Sequence, residues 1–349
     1  MTTRAIVLVV LAGGLIGCAD SGPVPSAPEE GQLAGPAVAF HALTPATFTA
    51  TDLGTLGGNL SQASAINIRG QVVGMSSTFP SRIGSQAFLW ESGTMTDLGT
   101  LELRFNEAHD INDRGQVVGH SQVTAGYHAF LWEAGTMRDL GTLGGNFSVA
   151  YGINNRGQIV GSSDYAFGSD RPVLWQNGAL TDLNAMSGSW GRAMDINDRG
   201  QVVGFSQVSN GETHAVLWES GTMIDLGTLG GNYSEAHAIN NNGQVVGRSK
   251  LAGGEYRAFL WQSGTMIDLG TLGGNLSDAY GINDRGHVVG HSALATRESR
   301  AFLWESGVMT DLGTLGGTSS RASDISERGQ VVGVSRLANG EFHAALWTR

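Results

Sequence analysis

DLGTLGG, at residues 52–58, is a phrase that returns throughout the chain. Its opening aspartate recurs at Asp97, Asp139, Asp182, Asp225, Asp268 and Asp311, with the copies at Asp97 and Asp182 degraded to DLGTLEL and DLNAMSG. The spacings are 45, 42, 43, 43, 43 and 43 residues, and a fixed period of this length indicates a repeat architecture. A phrase that occurs so often is more readily a structural part than an active site, because a reaction needs only one site.

Each repeat contains four candidate β-strands. In the fifth repeat the first strand ends at Asn240, and the others cover residues 244–247, 258–261 and 266–269. The turn at 241–243 is Asn-Asn-Gly, and these residues tolerate the positive φ of a tight hairpin. No apolar pattern of period 3.6 runs over ten or more residues, which excludes a helical solenoid.

Four strands in about 43 residues are typical of a β-propeller blade. The last repeat stops after three strands, and residues 47–54 match the second half of the missing fourth strand. We therefore predict an all-β fold over residues 38–349, a seven-bladed β-propeller of four-stranded antiparallel blades. An N-terminal strand would complete the last blade, which removes an open sheet edge. A β-solenoid and a sandwich array are the alternatives.

The first residues resemble a bacterial lipoprotein signal. Arg4 precedes an apolar run at 5–15 that is too short to span a membrane as a mature helix. The run ends in Leu-Ile-Gly-Cys, which resembles a lipobox, and Cys18 is the only cysteine. We predict a signal peptide at 1–17, lipidation of Cys18 and a flexible spacer at 18–37. The exported protein would be anchored at the outer membrane or cell surface, the alternative being a plain signal peptide.

Composition narrows the possible partners. The formal net charge is -11 and Lys and Arg form no cluster, so a nucleic acid is a poor partner for this chain. A single cysteine cannot build a disulfide framework. No phosphate loop, dinucleotide fingerprint or hydrolase elbow is present in the sequence, so we expect no cofactor. We also expect the protein to be a monomer.

The repeated aspartate is predicted to be structural. A two-residue turn after Glu133 places Phe130 opposite Asp139 and His128 diagonal to Asp139 on one face of the hairpin. The place of His128 is taken in the other repeats by Gln86, Arg171, His214, Arg257, Arg300 and His343. Six of these seven partners are His or Arg, so the repeated aspartate would pair with a basic side chain on the neighbouring strand in every repeat but the one with Gln86. Asp52 would pair with His343 only if the two ends of the repeat array meet.

A metal centre is not expected. Residues 110–115 resemble part of a calcium loop, but Arg114 occupies a ligand position and no downstream Glu completes the cage. The nine His include no ligand-spaced pair such as HExxH. The repeated Leu-Trp pairs are predicted to pack neighbouring blades together; stacking platforms for sugars are the alternative.

The run from DLGTLGG through INxxGQVVG to AFLW resembles the HAF-repeat family of extracellular proteins, over residues 48–349. The name-giving His-Ala-Phe is literal once, at 128–130, and other repeats replace its histidine. The resemblance implies an exported repeat protein and carries no established activity.

Three functions are open: a surface-anchored binding or scaffold propeller for a glycan, peptide or protein, a carbohydrate-active propeller enzyme, and a structural surface protein. We favour the first. For the enzyme, Glu107, Glu235 and Asp278 are the carboxylates expected near the ring axis.

Irregular loops suggest where a ligand binds. Loops of the first four repeats depart from the pattern and carry aromatic and Arg residues, which binding hot spots favour. The hypothesised ligand patch is Phe79, Arg82, Arg104, Phe105, Tyr165, Phe167, Trp190 and Arg192. Neutral drift of unconstrained loops is the alternative.

Overall fold

The computed structural model describes residues 47–79, 84–166, 168, 170–186 and 190–349. Every regular element in these ranges is a β-strand, so the predicted all-β class is confirmed. The predicted signal peptide, Cys18 and the spacer lie outside the described residues.

The strands form strand groups of four in chain order, with β1 joining the last group. Group 1 is β2 (Ser61–Ile66), β3 (Val72–Ser77), β4 (Ser85–Glu91) and β5 (Thr94–Asp97). Group 2 is β6 (Asn106–Ile111), β7 (Val117–Val123), β8 (Gly126–Glu133) and β9 (Thr136–Asp139). Group 3 is β10 (Ser148–Ile153), β11 (Ile159–Ser163), β12 (Arg171–Gln176) and β13 (Ala179–Asp182). Group 4 is β14 (Gly191–Ile196), β15 (Val202–Gln207), β16 (Thr213–Glu219) and β17 (Thr222–Gly227).

Group 5 is β18 (Gly230–Ile239), β19 (Val245–Leu251), β20 (Tyr256–Gln262) and β21 (Thr265–Asp268). Group 6 is β22 (Gly273–Ile282), β23 (Val288–Leu294), β24 (Ser299–Glu305) and β25 (Val308–Asp311). Group 7 is β26 (Gly316–Ile325), β27 (Val331–Leu337) and β28 (Phe342–Thr348), together with β1 (Thr49–Asp52).

Within each group the strands pair antiparallel. A single parallel bridge pair, Thr213 with Tyr233, joins groups 4 and 5 into one eight-stranded sheet beside five four-stranded sheets. Strand β1 pairs with β28, with Thr49 opposite Thr348 and Asp52 opposite Ala345. The most N-terminal strand is therefore hydrogen-bonded to the most C-terminal one.

The INxxG turn is held by its asparagine. Asn240 Oδ1 accepts the backbone N–H groups of Asn242 and Gln244, each at 3.0 Å. Gly243 has φ +76, a conformation that residues with a Cβ rarely adopt. The side-chain bonds and the glycine together explain why this turn recurs between the first and second strands.

The DLGTLGG phrase connects one strand group to the next. Asp268 Oδ1 accepts the N–H of Gly270 at 2.8 Å, and this bond to the residue two positions on occurs in all seven copies. Leu269 is buried, and the N–H of Leu272 donates to Ser292 Oγ in the following group at 2.9 Å. The phrase recurs because each connection needs the same turn, the same apolar anchor and the same side-chain acceptor.

The apolar core lies between neighbouring groups. In one cluster, Val246 and Leu260 of group 5 pack with Val288 and Phe302 of group 6. Each of the seven clusters contains one tryptophan of a Leu-Trp pair, buried or partly buried. These tryptophans pack neighbouring groups together.

Side-chain amides link the groups at the turn end of the first strands. Asn67 Nδ2 donates to the carbonyl oxygen of Asn112 at 3.1 Å, and the same donation continues from Asn112, Asn154, Asn197, Asn240 and Asn283 to the following group. In group 7 the place of this asparagine is taken by Ser326. Groups 7 and 1 share another repeated link: the N–H of Ala344 donates to Ser61 Oγ at 2.8 Å, as the N–H of Ala301 donates to Ser320 Oγ at 2.9 Å between groups 6 and 7.

Candidate functional site

The first strand of every group carries a one-residue β-bulge at the same place. In β6, Ala108 lies opposite Gly119 and Asp110 opposite Val118, which leaves His109 as the extra residue. A bulge bends the strand and re-aims the side chain of the extra residue. The bulge residues are Ser64, His109, Tyr151, Met194, His237, Tyr280 and Ser323.

All seven bulge residues line one cavity of about 330 Å³, here called the bulge cavity. Gln62 and Arg321, two positions before their bulge residues, also line it. The volume lies at the lower end of the range of about 300–1,000 Å³ typical of small-molecule sites. A second cavity of about 290 Å³ is lined by the turn residues, and Asp324 borders both cavities.

Three aspartates follow bulge residues and line the bulge cavity: Asp110, Asp195 and Asp324. Each accepts a backbone N–H from an isoleucine of another strand group, namely Ile153 at 2.7 Å, Ile239 at 2.8 Å and Ile66 at 2.9 Å respectively. Burial raises the pKa of Asp195 and Asp324 to about 6, and burial with the charge of Asp195 raises the pKa of Asp110 to about 8.

Small residues alternate with these aspartates because the first strands approach closely there. A Cβ on Gly152 would lie 3.0 Å from the Cα of Asp195, and one on Gly281 would lie 3.0 Å from the Cα of Asp324. Side chains at both glycine positions would therefore force the neighbouring strands apart.

A cation and stacked rings occupy one side of the bulge cavity. The His237 ring stacks on Tyr280 with centroids 5.1 Å apart and an interplanar angle of 9°. Burial alone would lower the pKa of His237, but Asp278 and Glu235 outweigh burial and raise it to about 10. The Arg321 guanidinium lies 5.4 Å from the Tyr280 ring centre, and no ion pair to Arg321 occurs within the described residues. Its charge is available to a ligand.

The carboxylates expected near the ring axis lie beside the cavity and do not line it. Glu235 Oε2 pairs with Arg248 at 2.8 Å, and Asp278 Oδ1 lies 3.3 Å from His237 Nδ1. Glu107 lies opposite His120 in the β6–β7 register. The carboxylates that do line the cavity are Asp110, Asp195 and Asp324, each one position after a bulge residue.

Sequence reasoning missed a cluster in group 2. Glu107, His109 and His120 place one ligand-type atom each within 4.8 Å of one another, although no His pair has a recognised ligand spacing in the chain. The two histidines are eleven positions apart on the paired strands of one hairpin, with His109 at the bulge, so only the strand register brings them together. The sequence did contain a signal for the bulge position. In the repeated A-x-x-I motif Ala and Ile are constant, whereas the residue after Ala varies among Ser, His, Tyr and Met.

The hypothesised ligand patch has two exposed aromatic members. Phe79 is 55% exposed and Tyr165 is 46% exposed, and Tyr165 donates its hydroxyl to Asp182 at 3.1 Å. Arg104 is exposed as well. Arg82 and Phe167 lie outside the described residues.

The other patch members are engaged by residues outside the patch. Phe105 meets Tyr127 edge to face at 6.1 Å, and Trp190 meets Phe205 in the same way at 5.7 Å. Arg192 forms an ion pair of 2.6 Å with Asp170. Within the described ranges no ring contact or ion pair joins two patch members.

The repeated aspartates lie beside the basic residues named from the hairpin register. The pairs are His128–Asp139 at 2.7 Å, His214–Asp225 at 2.8 Å, His343–Asp52 at 2.9 Å, Arg171–Asp182 at 3.0 Å, Arg300–Asp311 at 3.7 Å and Arg257–Asp268 at 4.0 Å. Asp97 has Gln86 at this place, and the Gln86 amide donates to the Arg104 carbonyl at 3.0 Å. The His343–Asp52 pair joins β28 to β1.

Comparison with known proteins shows the fold and nothing more specific. No model of a known protein family matches the chain, and no curated protein sequence matches it. The WD40 β-propeller domain of Doa1 is similar with a TM-score of 0.52 and 13% identity, covering 86% of this chain and 97% of that domain. At this identity the likeness shows a β-propeller-like fold alone.

Two further solved structures have lower TM-scores. TolB from Acinetobacter baumannii has a TM-score of 0.49 and 11% identity over 85% of this chain, which spans 65% of that TolB chain. A gluconolactonase from Xanthomonas campestris, XC5397, has a TM-score of 0.44 and 12% identity, over 85% of this chain and 88% of that one.

In the part of the chain that the structure describes, no helix is long and apolar enough to cross a membrane.

Proposed function

We propose that the chain is a closed seven-bladed β-propeller that binds a glycan, peptide or protein partner outside the cytoplasm. Each strand group would be one blade, and β1 would complete the last. Support for closure comes from three contacts between the ends of the array: the β1–β28 pairing, the Ala344–Ser61 bond and the Ile66–Asp324 bond. The core cluster of Leu53, Val72, Phe88 and Val332 also combines groups 1 and 7.

The observation that carries the binding role is the convergence of seven bulge residues on one cavity. A purely structural repeat protein needs identical residues at equivalent places, as at the Ala and Ile positions that flank the bulge. The bulge position varies among hydroxyl, imidazole, phenol and thioether side chains. Varied polar groups around a cavity are what fixes the orientation of a bound ligand.

The lining of the bulge cavity favours one terminal unit of a sugar chain or peptide. Tyr151 and Tyr280 provide aromatic groups, Arg321 a cation, and Ser64 and Ser323 hydroxyls. A volume of about 330 Å³, at the lower end of the range for small-molecule sites, suits a short terminal unit. A partner protein would therefore present one protruding residue or glycan end to this cavity.

A carbohydrate-active enzyme is the weaker alternative. The carboxylates that line the cavity accept backbone N–H groups on both oxygens; Asp110, for example, accepts from Ile111 and Ile153, each at 2.7 Å. A catalytic carboxyl group must exchange protons with the substrate. These bonds instead tie one strand group to the next.

Location outside the cytoplasm is part of the proposal and rests on the sequence. The apolar run at 5–15 and the lipobox-like end at Cys18 support export and lipid anchoring at the outer membrane or cell surface. The spacer predicted from the sequence at 18–37 would hold the propeller away from the lipid surface.

The binding proposal is tested with glycan and peptide arrays. We expect Arg321→Ala and Tyr280→Ala to weaken a ligand found on the arrays by about 2 kcal/mol each, or about thirtyfold. Arg138→Ala is the matched control, because Arg138 is exposed on the outer strand β9 and should leave the affinity unchanged. A ligand that binds both cavity variants as tightly as the parent chain would contradict the assignment of the site.

A further inference from the structure

Three side chains of group 2 converge between strands β6 and β7. His109 Nε2 lies 2.9 Å from His120 Nδ1, and the two rings stack with an interplanar angle of 23°. Glu107 contributes a carboxylate oxygen within 4.8 Å of both imidazoles. All three side chains are half-buried, and His109 also lines the bulge cavity.

Group 5 carries the same arrangement with one difference. Glu235 and His237 occupy the places of Glu107 and His109, but Arg248 occupies the place of His120. Arg248 donates Nε to Glu235 at 3.0 Å and neutralises the carboxylate. In group 2, no ion pair to Glu107 occurs within the described residues. The cation that group 5 supplies from its own chain is therefore missing from group 2.

We propose that Glu107, His109 and His120 bind one divalent first-row transition-metal ion at the edge of the bulge cavity. Two imidazoles and one carboxylate form a ligand set that such ions favour and that leaves coordination positions open. A nitrogen separation of 2.9 Å subtends about 90° at an ion about 2.0–2.1 Å from each nitrogen. That angle suits five- or six-coordinate geometry. The coordination positions left open on the ion would face the bulge cavity, because His109 lines that cavity.

Burial acts on all three groups: it raises the pKa of Glu107 and lowers the pKa of both imidazoles. Burial, with the nearby His120, lowers the pKa of His109 to about 3, and burial lowers the pKa of His120 to about 4. Both imidazoles are therefore neutral at pH 7, as metal ligation requires. One of the facing nitrogens carries the proton shared between the rings. Moving that proton to the other nitrogen of the same ring frees the lone pair for the ion.

This site does not depend on the proposed ligand or on any activity, so metal content is the direct test. The full chain, purified without a polyhistidine tag and stripped with chelator, is titrated with Zn²⁺ and with Co²⁺ and followed by calorimetry, metal analysis and Co²⁺ absorption. We expect one equivalent per chain and a rise in melting temperature. The proposal is overturned if neither Zn²⁺ nor Co²⁺ binds to more than about 0.2 equivalents per chain.

His120→Arg is the sharpest variant because group 5 shows that Arg fits this place beside Glu and His. This variant should bind no metal ion. Removal of a residue that only supports a ligand would instead lower the metal affinity by about 10- to 100-fold. Glu107→Gln is the second variant if His120→Arg does not fold. His128→Gln, at an exposed pair with Asp139, is the control and should bind one equivalent. Parental affinity in folded His120→Arg or Glu107→Gln would overturn the proposal.

Discussion

Replacing Leu53 by Ala tests whether the two ends of the chain form one blade. Leu53 follows β1, is 6% exposed, and packs with Ala344 and Val332 of group 7 and with Phe88 and Val72 of group 1. Its backbone N–H donates to the Ala344 carbonyl at 2.9 Å. If this packing holds in solution, the side chain of Leu53 contributes as much stability as a leucine in the middle of the array.

The chain supplies a matched control at Leu269. Leu269 has the same place in the DLGTLGG phrase and is 7% exposed. Its N–H donates to the Ala258 carbonyl at 3.0 Å, and here the two paired strands follow each other directly in the sequence. Burying a leucine side chain is worth about 1.5–3 kcal/mol, and the cavity left behind brings the cost of Leu→Ala to about 2–5 kcal/mol. Because exposure and backbone bonding match, Leu53→Ala and Leu269→Ala should agree within about 1 kcal/mol.

Equilibrium urea denaturation measures both variants. We expect the two unfolding midpoints to fall together with the slope unchanged, since a change in midpoint alone reports a change in stability. If Leu53→Ala changes the unfolding free energy by less than about 0.5 kcal/mol, as for an exposed site, while Leu269→Ala costs about 2 kcal/mol or more, the closure of the ring is refuted.

Three further predictions concern charge, anchoring and binding. The unfolding free energy should fall as pH rises from about 7 to 9, by on the order of 1 kcal/mol per pH unit, because folded His237, with a pKa raised to about 10, keeps a proton that the unfolded chain has released, while Asp110, with a pKa raised to about 8, adds to the fall at the lower end of this range. His237→Gln should flatten the slope most between about pH 8 and 9, where Asp110 contributes least, and an equal slope there would contradict the charged state of His237. Cys18→Ser should move the protein from the membrane to the soluble fraction, since acyl chains contribute about 0.8 kcal/mol per buried methylene; membrane retention would refute lipidation. Phe79→Ala tests the ligand patch separately from the bulge cavity: because Phe79 is 55% exposed and is not among the cavity lining, the affinity of a cavity ligand and the stability should each change by less than about 0.5 kcal/mol, and a loss of about 2 kcal/mol in affinity would place the ligand on the patch instead.

Local and periodic features could be predicted from the sequence. The INxxG turn, the short apolar AFLW run and the period of 43 residues predict four antiparallel strands for each repeat, and the structure confirms this. The reason is physical: a hairpin is specified by a few adjacent residues whose allowed φ and hydrogen bonds are properties of those residues. Positions outside the pattern, such as Phe105 and Trp190, could be found in the same way, but their packing partners Tyr127 and Phe205 could not.

By itself, then, the sequence determined the all-β class, the strand order and the phrase that connects one group to the next. Only the tertiary structure decided which side chains face the bulge cavity and that Glu107, His109 and His120 meet. A bulge reverses the side-chain alternation of a strand by one residue, and its position depends on hydrogen bonds to another strand. The seven first strands whose bulge residues line the cavity are about 43 residues apart in the chain, so no local pattern can show that they converge.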